Sequence, residues 1–177
     1  MLMKIELKKI MPEDLVELWE ISYGPDADLE WMNYNGPYFH DPILTKEEYL
    51  TGWVTQVINH HRFKLITVDD KIVGIVTAYW EDGKLKHWLE VGMVIYDRNM
   101  WGKGIGTKVL KMWLPYLFTE YPELPHLSFT TWSGNSGMEK IGQKAGMTKE
   151  GVIRKVRYWQ GNYYDSVKYG ILREECC

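Results

Sequence analysis

The sequence predicts an α/β (α+β) protein with a mixed central sheet of about seven strands flanked by about four helices. Two observations carry this prediction. Apolar residues recur with a period of two in some segments and with helical spacing in others, and turns rich in glycine or proline separate these segments. The chain has 177 residues, which is the length of one domain, so we expect residues 1–177 to form a single domain.

The amino-terminal third predicts a strand and two helices. Charged and apolar residues alternate over 4–10, which is the period of a strand. Pro12-Glu13-Asp14 begins a helix, because proline suits its first turn and acids suit the positive end of its dipole; Gly24-Pro25 ends it. Thr45 to Glu48 has the capping-box pattern of a second helix, which we expect to run to about His60.

The middle of the chain predicts three successive strands. The period changes to two over 63–68 and again over 72–80, and the turn Asp69-Asp70-Lys71 joins these strands as a hairpin. A second turn at 81–84 leads into a long strand from Leu89 to Ile95. Consecutive strands joined by such short turns are expected to pair antiparallel.

The remaining part of the chain predicts two helices and three strands. The glycine-rich turn WGKGIGT at 101–107 precedes a helix whose apolar residues have helical spacing from Ile105 to Leu117. A short strand at 126–132 and a helix at 134–145 follow. The last thirty residues form two strands joined by Gln160-Gly161-Asn162, which is typical of a hairpin.

Charge and composition exclude several function classes. The chain has 21 basic and 24 acidic residues, so it lacks the basic excess of a nucleic-acid-binding domain. It has no apolar run long enough to span a membrane, and its charged first ten residues do not resemble a secretory signal. Cys176 and Cys177 are adjacent and cannot form a zinc site or link distant segments. We expect a cytoplasmic protein without metal, membrane or nucleic-acid partners.

The glycine turn is the first candidate binding site. Gly102, Gly104 and Gly106 alternate directly after a predicted strand and open a helix, where backbone N–H groups can bind an anion and Lys103 can add a charge. The turn lacks the Gly-Lys-Ser/Thr of a Walker loop, and Thr107 stands at the position where a dinucleotide fingerprint has its last glycine. From these residues alone, phosphate binding and a plain strand-to-helix turn remain equal alternatives.

Two longer segments resemble a known family. VGMVIYDRNMWGKGIGTKVL at 91–110 resembles the acetyl-CoA-binding motif of the GNAT acyltransferase superfamily, and NSGMEKIGQKAGMTKEGVIR at 135–154 resembles the helix and strand that follow it. The most similar branch contains the ribosomal-protein N-terminal acetyltransferases. Its carboxy-terminal pattern is matched by Gly151, Arg154, Gly161, Asp165 and Tyr169. The resemblance covers about residues 62–173.

This resemblance implies a single GNAT-like domain that transfers an acetyl group from acetyl-CoA to a primary amine by direct attack in a ternary complex. The acceptor would be a protein N-terminus or a small amine. A non-catalytic CoA-binding sensor is the alternative, and an unrelated phosphate- or nucleotide-binding domain is a third. A homodimer is expected only by analogy with the fold.

The resemblance also assigns the cofactor-binding residues. The pyrophosphate would be held by the backbone amides of Trp101, Gly102, Lys103, Gly104, Ile105, Gly106 and Thr107. A backbone N–H at Val94 or Ile95 would bind the thioester oxygen, with Gly92 permitting a local bulge. Asn135 would contact the pantetheine arm or cap its helix.

Catalytic and substrate-binding residues are predicted around this site. Glu90 is the candidate base, because its apolar sequence neighbours would make a carboxylate more basic. In the most similar branch a serine three residues after the helix asparagine protonates the leaving thiolate, and in this chain that position is Met138. The remaining candidates for the proton donor are Ser136, Tyr164 and the neighbouring Tyr163. A substrate wall is expected from the irregular segment 31–41. Its aromatic residues Trp31, Tyr34, Tyr38 and Phe39, together with His40 and Asp41, would suit an amine or peptide end held by stacking and a carboxylate, with a satellite hydrophobic cluster as the equal alternative.

Overall fold

The computed structural model describes residues 3–176 and contains the predicted elements in the predicted order. The strands are β1 (Ile5–Lys9), β2 (Phe63–Val68), β3 (Lys71–Trp80), β4 (Leu89–Ile95), β5 (His126–Trp132), β6 (Thr148–Trp159) and β7 (Asn162–Leu172). The α-helices are α1 (Leu15–Tyr23), α2 (Lys46–Thr51), α3 (Ile105–Glu120) and α4 (Ser136–Lys144). The α/β fold class with a mixed seven-stranded sheet and four helices is thereby confirmed. Cys177 lies outside the described residues.

The strands form one sheet in the order β1-β2-β3-β4-β5-β7-β6. Only β4 and β5 are parallel, because helix α3 connects them as a crossover. These two strands pair only at Leu89 with Leu127 and at Glu90 with Ser128. Beyond these positions they diverge and open a wedge in the middle of the sheet.

The two faces of the sheet carry separate hydrophobic cores. On one face α3 packs through side chains such as Trp113 and Leu117, which are fully buried. On the other face α1 and the irregular segment after it pack through Leu18 and Trp31. The start of α3 approaches α4 closely, since a Cβ at Gly106 would lie 2.7 Å from Ile141 Cδ1. The wedge therefore opens between two packed layers.

Two local expectations are wrong. The second helix ends at Thr51 rather than near His60, because Gly52 leaves the helical conformation and a short 3₁₀ turn, Trp53–Gln56, follows. The capping box that begins this helix is present, with Thr45 and Glu48 bonded in both directions. The bulge expected at Gly92 does not occur, since β3 and β4 keep one register from Gly74 to Trp80.

Within residues 3–176, the helices are all too short or too polar to cross a membrane.

Candidate active site

A cavity of about 800 Å³ lies where β4 and β5 diverge. It is bounded by the outer halves of both strands, the first turns of α3 and α4, and the irregular segment after α1. Its described lining includes Trp31, Tyr34, Tyr38, Phe39, Asp41, Val94, Ile95, Trp101, Gly102, Gly104, Ile105, Gly106, Thr107, Thr130, Trp132, Asn135, Ser136, Met138, Lys140 and Lys144. The structure thus brings most of the predicted site residues to one place.

Strand β4 presents unpaired backbone groups to the cavity. Tyr96 donates its N–H to Val73 O of β3 at 3.0 Å, and residues of an antiparallel pair alternate between facing the partner and facing away. Val94 therefore turns its backbone toward β3, whereas Met93 and Ile95 turn theirs toward the wedge. Of the two predicted donors, Ile95 is the one whose N–H faces the cavity, and Val94 packs its side chain against the α1 layer.

The glycine loop has the conformation of an anion-binding turn. Gly102 and Gly104 have φ values of 73° and 77°, a left-handed region that favours glycine. Gly104 is the N-cap of α3, so the first amides of this helix are not used within it. The indole N–H of Trp101 donates to Ile95 O at 2.8 Å and holds the loop against β4. Lys103 is exposed and lies outside the described lining of the cavity.

The arrangement fits an extended, phosphate-containing ligand. A cavity of this volume lies beside a row of free backbone amides, and such a row at a helix start favours negative charge. Lys140 and Lys144, which sequence reasoning missed, lie one helical turn apart on α4 and add positive charge to the same cavity. Their spacing of four residues is the only sequence signal that could have paired them.

The first turn of α4 is tied to the aromatic segment. Asn135 Oδ1 accepts a hydrogen bond from the backbone N–H of Met138 at 3.0 Å. Asn135 therefore caps α4, which is one of the two roles predicted for it. Its side-chain amide donates to Tyr34 O at 3.4 Å, and Trp132 Nε1 donates to the same oxygen at 2.9 Å. Ser136 follows the cap and lines the cavity. These bonds close one end of the cavity.

All four predicted wall residues line the cavity, but they differ in exposure. Trp31 is buried and donates its indole N–H to Ser22 O at 3.1 Å, whereas Phe39 is 62% exposed. Tyr34 contacts Trp101 edge to face at a ring-centroid distance of 5.4 Å. Burial raises the pKa of Tyr38, and the nearby Arg157 guanidinium opposes this rise.

Arg157 was not predicted to belong to this region. Its guanidinium carbon lies 4.8 Å from the Tyr38 ring centroid and 5.2 Å from that of Phe39. A break in the register of β6 between Ile153 and Arg157 redirects the strand and brings the side chain there. Sequence alternation alone could not reveal this contact, because it assumes an unbroken strand.

Glu90 occupies a polar network at the edge of the wedge. Its carboxylate accepts bonds from Thr130 Oγ1 at 2.9 Å, Lys168 Nζ at 3.0 Å and Ser128 Oγ at 3.3 Å. The predicted apolar surroundings are wrong for Leu89 and Val91, which alternate to the opposite face of the sheet. Trp88 stays on the face of Glu90 and donates its indole N–H to Ser128 Oγ. Glu90 does not itself line the cavity, but its partner Thr130 does. Its role as a base stays a prediction.

The tyrosine candidates lie outside the cavity. Tyr164 packs edge to face on Trp132 at 4.8 Å between ring centroids, and Tyr163 contacts Tyr158 on an exposed part of the hairpin. Neither is part of the described cavity lining. Among the candidate proton donors, Ser136 is thus the one that the fold brings to the cavity.

A wedge between diverging parallel strands, with a glycine loop and a helix start at its mouth, defines a class of α/β proteins that bind phosphate-containing cofactors in an extended form. Within that class the family can be stated. The family model described as "Acetyltransferase (GNAT) domain" matches residues 4–148, and this chain belongs to that family of acetyltransferases.

Individual relatives agree with this assignment. The chain is 27% identical over 176 residues to YokL of Bacillus subtilis (strain 168), a prophage-derived uncharacterized N-acetyltransferase, covering 97% of this chain and 91% of the relative. A crystal structure of a GNAT-family acetyltransferase from Bacillus anthracis superposes with a TM-score of 0.76, at 21% identity and with 97% and 96% of the two chains covered. Spermidine N-acetyltransferase from Vibrio cholerae, solved with CoA and spermine, gives a TM-score of 0.70, at 19% identity with 97% and 96% covered.

Proposed function

We propose that this protein uses acetyl-CoA to acetylate a primary amine by direct attack in a ternary complex. The observation that carries this proposal is the wedge between β4 and β5, where the glycine loop, the start of α3 and Ile95 line one cavity. A structural neighbour was solved with CoA, and that likeness supports CoA as the cofactor. The remaining aromatic side of the cavity is the proposed acceptor side.

The roles that we propose for the residues on the cofactor side follow from the positive potential of that side and the negative charge of the cofactor. The Trp101 N–H, one of the predicted donors, is already donated to Arg98 O at 3.0 Å, so the proposed pyrophosphate donors are the backbone amides from Gly102 to Thr107. Lys140 and Lys144 add to the positive potential. Asn135 fixes the start of α4 against the pantetheine arm. Acetyl-CoA supplies an activated acetyl thioester, and the Ile95 N–H stabilises the negative charge that develops on its carbonyl oxygen.

The chemistry requires two proton movements on the acceptor side. The ammonium group must lose one proton before its nitrogen attacks the acetyl carbon. When the carbon–sulfur bond then breaks to release CoA, the nitrogen gives up a second proton, which balances the proton that the sulfur takes up. Glu90, reached through Thr130 or a water molecule, is the proposed acceptor of the first proton. Ser136 is the proposed donor to the sulfur, although a thiolate leaves readily near neutral pH.

Calorimetric titration and a turnover assay test this proposal together. Acetyl-CoA is expected to bind one per chain with micromolar affinity, whereas ATP and NAD are not. CoA release, followed with a thiol reagent, is expected only when an amine is added. Binding of ATP or NAD in preference to acetyl-CoA would contradict the cofactor assignment, and binding of acetyl-CoA without CoA release for any amine would favour a sensor.

A further inference from the structure

A second, smaller pocket of about 180 Å³ adjoins the main cavity. Trp31, Asn35, Gly36 and Asp41 line both spaces, so the segment 31–41 forms their common wall. The small pocket is completed by the apolar and aromatic side chains of Tyr23, Met32, Pro37 and Trp159 and by the polar side chains of Asn33 and His40. A ligand on the acceptor side of the cavity can therefore extend one part of itself into an aromatic recess.

Contacts within the protein hold the recess in shape. The Trp31 ring contacts Tyr23 at 5.5 Å and Tyr96 at 5.2 Å between centroids, edge to face in both cases. Its indole N–H is bonded to Ser22 O, and only 6% of the residue is exposed. A rigid aromatic surface costs little conformational entropy when a flat or apolar group packs on it.

The charges around the two spaces are few. Among the described lining residues, Asp41 is the sole acidic side chain, whereas Lys140 and Lys144 lie on α4 at the cofactor side and His40 lies next to Asp41. Arg157 adds a positive charge behind the wall, against Tyr38 and Phe39. The Asp41 carboxylate acts on the recess: burial raises the pKa of Tyr23, and the charge of Asp41 raises it further. One carboxylate at the boundary suits one ammonium group. A polyamine would bring several ammonium groups, and only one of them would meet a carboxylate among the described lining residues.

We propose that the acceptor is a monoamine with an aromatic or apolar body. Its ammonium group is bound by Asp41, and its body packs on Trp31 in the recess. This inference rests on the proposed N-acetyltransferase function and names the substrate class of the same site. It also sets this chain apart from the structural neighbour named as a spermidine acetyltransferase.

The test compares acceptors with the full-length protein at saturating acetyl-CoA. Phenylethylamine and tryptamine represent the monoamines, spermidine the polyamines, and an alanine-terminated tetrapeptide a protein N-terminus. We expect kcat/KM for phenylethylamine to exceed that for spermidine by about tenfold or more. Asp41→Asn is expected to raise KM for phenylethylamine by about tenfold while kcat and acetyl-CoA binding stay unchanged.

Asp26→Asn is the matched control, because Asp26 is exposed in the same irregular segment and lies outside both described linings. It is expected to leave KM unchanged. Preferred turnover of spermidine or of the peptide would overturn the monoamine class and leave the proposed function standing, as would an unchanged KM in Asp41→Asn. Absence of CoA release with every acceptor would overturn the proposed function, and the acceptor class with it.

Discussion

Replacing Gly102 by aspartate would place a carboxylate in the loop that we assign to the pyrophosphate. Gly102 has φ 73°, and a Cβ added there meets no atom within 4 Å, so the change introduces charge and backbone strain without a clash. Aspartate and asparagine tolerate the left-handed region better than other residues, at a cost of about 1 kcal/mol. The expected loss of stability is therefore small, and the loss of binding is mainly electrostatic.

The size of the electrostatic effect can be estimated. A unit charge about 8 Å from each of two phosphate charges costs about 1 kcal/mol per charge at an effective dielectric constant of about 40. The total of about 2 kcal/mol corresponds to a weakening of acetyl-CoA binding by about 30-fold. Since salt screens exposed charges, the penalty should shrink as ionic strength rises.

Calorimetric titration at low and high salt measures this effect against two controls. Gly102→Asn has nearly the same shape without the charge and isolates the backbone strain. Gly161→Asp carries the same charge at φ 79°, also with open space around its Cβ, in the distant β6–β7 turn. If Gly102→Asn weakens binding as much as Gly102→Asp, or if Gly161→Asp does so equally, the loop does not hold the phosphates as we reason.

Three further predictions concern catalysis and stability. Glu90→Gln should lower kcat by about 10²–10⁴-fold with acetyl-CoA binding intact, while Glu47→Gln on the exposed start of α2 should have no effect; an unchanged pH–rate profile would remove Glu90 as the base. Thr45→Ala removes the α2 cap and should lower the free energy of unfolding by about 1 kcal/mol in urea denaturation, with acetyl-CoA affinity unchanged. The backbone N–H groups of Arg98 and Glu30 are the main cause that lowers the pKa of Asp28 in the folded protein. The contribution of Asp28 to the free energy of unfolding is therefore complete above the pKa that it has in the unfolded chain, and it is lost as the pH falls through the lower pKa of the folded state. The stability difference between the unchanged protein and Asp28→Asn should therefore shrink as the pH falls below the ordinary pKa of an aspartate; a difference that stays constant through that fall would refute the assignment.

Local sequence patterns were sufficient for the order of elements and for the glycine loop. Turns such as Asp69-Asp70-Lys71 and the capping box at Thr45 act within a few residues, so their signals can be read from adjacent positions. The helix that begins at Lys46 was predicted too long, because Gly52 ended it and no sequence rule weighs one glycine against the following apolar residues.

Non-local pairing decided which predicted residues share the site. The alternation of β4 depends on its register with β3, and this register turns the Ile95 N–H toward the cavity and the backbone of Val94 away from it. The same alternation separates Glu90 from Leu89 and Val91, and the pairing of distant strands surrounds it with Thr130 and Lys168. Neither contact is visible in the residues next to Glu90 along the chain.

What the sequence by itself determined was the α/β architecture and the position of the glycine turn between β4 and α3, because hydrophobic periodicity and backbone conformation are local properties. Only the tertiary structure decided that Tyr164 packs behind Trp132 and that a register break in β6 brings Arg157 onto Tyr38. It also brought Asp41 to the boundary of two pockets. These outcomes depend on how strands far apart in the chain diverge and pack, and sequence spacing does not encode those distances.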